Sequence, residues 1–318
     1  MPSTLEISTD PRIELLGVVQ SLAGARGTGA AARPWDRALE RRFGRWRGHA
    51  AVAAYRDCVE KHAGEESFAL ILLFLTDPPG LEWKRERALV SVRFIEQSGG
   101  TAAVESFLAS LRGFAAETEF MAFHEESRAR LLRHRRQGER LISGRDYMGI
   151  LEEYVGESLE SRYRVIWSLL YAPGRLTSFI IPYPYRGPGQ TAAGPYEIFT
   201  IPTREDQRDR RPYFVWSEPL YIPIERSWAG NEDGLSRLPP DAKALIVSAV
   251  AWRLTIRNFR RAGAAADAFV RSRVTPPTWA LYRRLAEYED GRRRYPTLDL
   301  FFPRLLDAMD GGARAKPC

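Results

Sequence analysis

Apolar residues recur three and four positions apart through most of the first half of the chain, the spacing that puts them on one face of a helix. The clearest case follows Asp10-Pro11, an N-cap carboxylate before a proline at the first helical position. Ile13, Leu16, Val19 and Leu22 continue it and Gly24 ends it. The glycines at Gly24, Gly27 and Gly29 read as a loop; no Lys-Ser/Thr follows them and no strand precedes them, as a phosphate loop would need. The same spacing predicts helices over 35–46, 49–62, 66–75, 101–114 and 117–137, a helical N-terminal layer.

Near residue 160 the pattern changes to β-branched and aromatic runs. The best strands are 176–181 and 196–201; between them the proline-rich and aromatic stretch 182–189 reads as a rigid surface connection or, functionally, as a cleft wall. The polar run 203–211 reads as an exposed turn. After Pro239-Pro240 a helix to about residue 261 carries Leu245, Ile246, Val247, Val250, Trp252, Leu254 and Ile256 with almost no polar side, which predicts burial all round. Helices over 278–288 and 297–309 close the chain, the second begun by Thr297 as cap. The predicted class is α+β, predominantly helical, with a helical region over 1–160 and a sheet-containing region over 161–318, read either as two regions or as one continuous structural unit.

At 318 residues, 44% hydrophobic and 27% charged, the chain can bury a large core. No apolar run is long enough to cross a bilayer, and the first residues lack the order of a secretion signal, so the cytoplasm is expected. Two cysteines, Cys58 and Cys318, make no disulfide framework. The net charge of +7 invites a nucleic-acid partner. Against that, the basic residues are nearly all Arg and look spread along the chain among acids, with Lys at Lys61, Lys84, Lys243 and Lys316. A solvated surface fits that spread better than a phosphate track.

Several stretches in order resemble an uncharacterised bacterial family of gluzincin-type zinc metallopeptidases. They are Asp10-Pro-Arg-Ile-Glu-Leu-Leu16, Glu66-Ser-Phe-Ala-Leu-Ile-Leu-Leu73, residues 111–123, residues 176–181 and the helix ending Leu254-Thr-Ile-Arg257. The resemblance implies a zincin-like half with a small sheet and a His-Glu-x-x-His helix. There two imidazoles one turn apart bind zinc, the Glu activates water, and a Glu from a later helix is the third ligand. By order and flanking pattern the motif falls on Ser217-Glu218-Pro219-Leu220-Tyr221 and the later Glu on Ser248. Ser217, Tyr221 and Ser248 thus stand where His, His and Glu are implied, and Glu218 keeps the general-base position. Neutral hydroxyls are poor zinc ligands, so no cofactor is expected although the family implies zinc. Proline inside a helix costs roughly 3 kcal/mol. Either the ligand helix therefore starts at Ser217 with Pro219 in its first turn, or the segment, which also holds Pro223, is not helical.

No other ligand set is legible. His124-Glu125-Glu126-Ser127-Arg128 begins like a zinc motif but ends on a cation. On one continuous helix His134 would lie about 80° round from His124, so both read as surface histidines of an Arg-rich helix. Cys58 and His62 are one turn apart, yet Cys58 shares a stripe with Val52, Tyr55 and Val59 and reads as packing. Asn231-Glu-Asp-Gly234 lacks the spacing of a calcium loop. The expectation is a catalytically inactive metallopeptidase-like protein that keeps a residual cleft and binds a polypeptide there, with the edge strand 176–181 as the candidate surface. The alternatives are an active peptidase with other ligands, and an anion or nucleic-acid binder using the arginines of 128–140 and 208–211.

Overall fold

The computed structural model describes residues 2–24, 34–62, 65–84, 92–171, 173, 176–182, 196–203, 206–207, 213–229, 238, 240–258 and 264–314. Within these the chain forms two compact units. The first comprises residues 6–140 and 164–208, the second residues 1–5, 141–163 and 209–318. The division does not fall at residue 160. The change of pattern there marks a change of secondary structure, while strand pairing joins segments far apart in sequence.

In the first unit α1 (Pro11–Ala23) is the central element. Asp10 caps it, accepting from the Arg12 amide, and Gly24 closes it in the left-handed conformation. It is buried on every side: Arg12, Glu14 and Gln20 are covered together with Ile13, Leu15, Leu16, Val18, Val19 and Leu22. Its polar side chains are satisfied internally, as burial requires. The Glu14 carboxylate accepts from the amides of Leu169 and Leu170, both at 2.8 Å. Arg12 holds Asp10 and donates to the carbonyl of Leu73. Gly17 is required where the helix meets residues 170–171, since a β-carbon there would lie 2.3 Å from the Tyr171 nitrogen.

The helices that follow are α2 (Pro34–Phe43), α3 (Ala50–His62), α4 (Glu65–Leu72), α5 (Val92–Gln97), α6 (Gly100–Glu117), α7 (Phe120–Glu126) and α8 (Arg128–Ile142), of which α2, α3, α4 and α7 pack on α1. The helix predicted over 66–75 ends early, and Leu75 bridges to Trp83. The helix predicted over 117–137 is three pieces. Glu119 takes a left-handed φ of 53° between α6 and α7, and Ser127 separates α7 from α8. The sheet is ordered β1 (Thr4–Ser8), β2 (Ser161–Ile166), β4 (Tyr196–Ile201), β3 (Thr177–Pro182). β3 and β4 pair antiparallel from Thr177↔Ile201 to Pro182↔Tyr196, which leaves β3 at the end of the sheet.

The second unit holds α9 (Tyr147–Val155), α10 (Tyr213–Ala229), α11 (Ala242–Asn258), α12 (Ala264–Arg271), α13 (Pro276–Asp290) and α14 (Leu298–Arg314). α11 packs on both α10 and α13. It is not buried all round: Ala244 and Arg257 are exposed, and Leu245, Ser248, Trp252 and Ile256 form a half-buried stripe. A polar network ties α9 and α11 to α13. Glu289 accepts from Arg253 at 2.9 Å and from the Tyr154 hydroxyl at 3.1 Å, and the Tyr288 hydroxyl donates to the Tyr154 carbonyl at 2.6 Å. Burial, reinforced by Glu289, pushes the Tyr154 phenol well above its ordinary value.

Candidate functional site

The segment with the two prolines is helical throughout, which corrects both alternatives drawn from the proline rule. α10 begins at Tyr213, so Pro219 and Pro223 lie in its interior and not in its first turn. The compensation is burial. Phe214, Val215, Trp216, Leu220, Ile222 and Ile224 are all covered, and burying a large apolar side chain is worth about 1.5–3 kcal/mol. Several such terms exceed the cost of two lost backbone donors. The Tyr163 and Ser217 hydroxyls each approach the Phe214 carbonyl, at 3.2 and 3.3 Å, giving side-chain donors to a turn that Pro219 disturbs.

Two contacts set α11 against α10. At one end the rings of Tyr213 and Trp252 are 4.9 Å apart; at the other Lys243 pairs with Glu225 at 2.5 Å. The start of α10 therefore lies beside the second half of α11 and the start of α11 beside the later part of α10, so the pair is antiparallel. Ser248 is midway between Lys243 and Trp252, and Pro219 is midway between Tyr213 and Glu225. Ser248 thus sits level with the turn carrying Ser217, Glu218 and Tyr221. Glu225 and Lys243, which fix this register, carry no motif that marks them in the sequence; a lysine in the first turn of one apolar helix and a glutamate in the last turn of its neighbour are the available signal.

Ser217 and Glu218 are buried, at 5% and 7% exposure, while Tyr221 and Ser248 are half-buried. The Ser217 hydroxyl also lies 3.4 Å from a Glu218 carboxylate oxygen. Burial, with the charges of Glu218 and Glu225, raises the Tyr221 phenol above its ordinary value, so it stays protonated at neutral pH. The second unit contains no histidine, since His49, His62, His124 and His134 all belong to the first. Glu218 is therefore a carboxylate beside the Ser217 hydroxyl, able to accept hydrogen bonds, with no imidazole of its own unit to share a metal or activate Ser217.

His49 and His134 serve local structure. His49 accepts from the Ala51 amide at the start of α3. His134 contacts Gln137 and the Ser168 carbonyl and lies against Trp167. His124 is on α7 and not on the helix of His134, so their relation on a continuous helix does not apply. His124 is half-buried: its Nε2 is covered without a hydrogen-bond partner among the described residues, and burial lowers its pKa. Cys58 is buried; the His62 side chain, residues 183–189, 208–211 and 231–234, and Cys318 lie outside the described residues.

Among the described residues no three His, Cys, Asp or Glu side chains come together in a way that could hold a metal ion, and no helix is long and apolar enough to cross a membrane. Compared with family models, curated proteins and solved structures, the chain shows no match.

Proposed function

We propose that this chain is a non-catalytic protein built on a metallopeptidase-like frame, and that it binds a polypeptide in extended form along β3. The observation that carries the reading is the antiparallel pairing of α10 and α11 through Tyr213–Trp252 and Glu225–Lys243, from which Ser248 is inferred to stand at about the height of Ser217, Glu218 and Tyr221. Two zinc ligands and a base from one helix and a third ligand from the next need that arrangement. The side chains at the three ligand positions are hydroxyls, so the frame carries no metal and Glu218 has no water to activate. Binding then falls to the main chain. β3 ends its sheet, and a terminal strand presents a row of N–H and C=O groups to which an extended chain can add.

Two measurements test this. In the first, zinc per chain is determined after equilibration with the metal, for the natural sequence and for Ser217→His/Tyr221→His/Ser248→Glu. The expected result is no stoichiometric zinc in the former and one zinc in the latter. Zinc in the natural chain would overturn the non-catalytic reading, and its absence from a folded triple variant would overturn the frame. In the second, anisotropy of labelled unfolded casein reports polypeptide binding. Prolines are placed in turn at Ser178 and Phe179, one of which removes an N–H facing away from β4. Binding lost in the better-folded of these two variants supports strand addition; binding retained there, or absent from the natural chain, refutes it.

A further inference from the structure

The net charge is not spread as evenly as the sequence suggests at first sight. Residues 251–294 hold eleven Arg against four Asp or Glu, a surplus of seven, which equals the +7 of the whole chain and leaves 36 basic and 36 acidic residues elsewhere. Three of the four acids are already engaged within the fold. Glu289 is held by Arg253 and Glu287 by Arg284, while Asp267 accepts from the Tyr282 hydroxyl at 3.4 Å. Arg257, Arg271, Arg273 and Arg283 are exposed and make no ion pair among the described residues.

The same elements expose aromatic rings. Tyr213, Trp252 and Phe269 follow one another with centroids 4.9 and 5.9 Å apart, and Arg273 lies over the Phe269 ring at 4.6 Å. Trp279 stacks on Tyr282 at 5.2 Å and 14°, with Arg283 beside Trp279 at 5.9 Å and Arg253 over Tyr282 at 4.8 Å. Tyr213, Trp252, Phe269 and Trp279 are all half-buried, so none is enclosed by the fold. The bond between Asp267 and Tyr282 brings α12 beside the Trp279–Tyr282 pair, and Trp252 and Arg253, adjacent on α11, reach one ring group each.

We infer that this face of α11, α12 and α13 binds single-stranded nucleic acid, with bases stacking on Trp252, Phe269 and Trp279 and phosphates held by Arg273, Arg283 and their neighbours. Arginine matches phosphate oxygens with a planar fork of donors, and every base has a π-face to offer a ring. A duplex keeps its bases stacked on one another and gives these rings nothing. An acidic polypeptide would use the arginines and leave the rings idle. The surface belongs wholly to the second unit and is independent of the reading of β3.

The test is anisotropy and tryptophan emission of the full chain titrated with a labelled oligouridylate of about twenty nucleotides, a length covering one or two binding sites of this kind. Saturable binding at low salt, falling steeply as salt rises, with quenched tryptophan emission, is expected. Trp279→Ala should weaken it about five-fold or more while Trp279→Phe retains most of it. Arg273→Glu/Arg283→Glu should weaken it and flatten the salt dependence. Circular dichroism melts identify variants that keep the natural fold. No saturable binding at low salt overturns the proposal. So does unchanged affinity in folded Trp279→Ala and Arg273→Glu/Arg283→Glu, or a loss caused instead by Arg133→Glu/Arg136→Glu on α8. Equal displacement by duplex of the same length or by polyglutamate would show attraction to any polyanion and overturn it as well.

Discussion

Gly138 lies so close to the indole of Trp167 that a β-carbon at that position would stand 2.7 Å from Cδ2 and 3.0 Å from Cε2. α8 is otherwise a strongly basic helix, and this glycine is where it meets the buried Trp167. In an exposed helix, replacing glycine by alanine gains about 0.5–1 kcal/mol from reduced backbone freedom. Here the indole must move inside a packed core, at a cost of about 1–3 kcal/mol, and the cost exceeds the gain. Gly138→Ala is therefore expected to lower stability by about 1–2 kcal/mol, read as a lower urea midpoint with an unchanged slope. A raised midpoint would mean that Trp167 has room to give way.

Glu14 puts a carboxylate in the interior of the first unit to serve two amides, Leu169 and Leu170, in the segment that follows β2. Losing the acceptor strands two buried N–H groups at about 1–3 kcal/mol each. Glu14→Ala should thus cost roughly 3–5 kcal/mol. Glu14→Gln keeps one acceptor oxygen but turns a donor toward the second amide, so it should fall between the natural chain and the alanine variant. Thermal melts of the three proteins check that order, and a Gln variant as stable as the natural chain would show that Glu14 does not need its second oxygen.

Asp10 has two duties. It caps α1 through the Arg12 amide and pairs with the Arg12 guanidinium, with both side chains only 9% exposed. A cap is worth about 1 kcal/mol, whereas removing one partner of a buried pair costs about 3–5 kcal/mol. The pair therefore dominates. Asp10→Asn, which can still cap, should lose most of what Asp10→Ala loses, and Asp10→Ala/Arg12→Met should recover part of the loss because no buried charge is stranded. If Asp10→Asn were as stable as the natural chain, capping alone would account for the residue.

Where local signals and tertiary burial agree, the sequence is a good guide. Asp10, Pro11 and Gly24 mark α1 to the residue, and the strand expected over 196–201 is β4. Where burial outweighs a local rule, it misleads. Two prolines argue against a helix at 213–229, yet the apolar residues around them hold it. The break at Glu119 has no glycine or proline to announce it. β1 is a short strand at the start of the chain whose role depends on pairing with residues more than 150 positions away, as the bond from the Trp167 amide to Ser8 shows. For the candidate site, the positions of Ser217, Tyr221 and Ser248 came from order and flanking pattern; their common level depends on the Tyr213–Trp252 and Glu225–Lys243 contacts, which no spacing along the chain reveals. The arginine-rich surface was legible as a running charge balance and is hidden when arginines are counted without their acids.

His124 makes stability depend on pH in a direction set by its surroundings. Burial lowers its pKa from the ordinary 6.5, against smaller opposing effects of Glu125, Asp10 and Asp77. The fold therefore disfavours the imidazolium, and the unfolded chain takes up the proton first as pH falls. The contribution of a neutral His124 is complete above about pH 6.5 and declines below it, levelling off once pH has passed the lower value of the folded state. The opposite slope would require a partner that stabilises the charged ring, and none donates to or accepts from the buried Nε2 among the described residues. The melting temperature should fall between pH 6.5 and 5 in the natural chain and fall less in His124→Leu. The difference between the two proteins isolates this group from the carboxylates that titrate lower. Parallel profiles would mean that the imidazole has the same affinity for protons in both states.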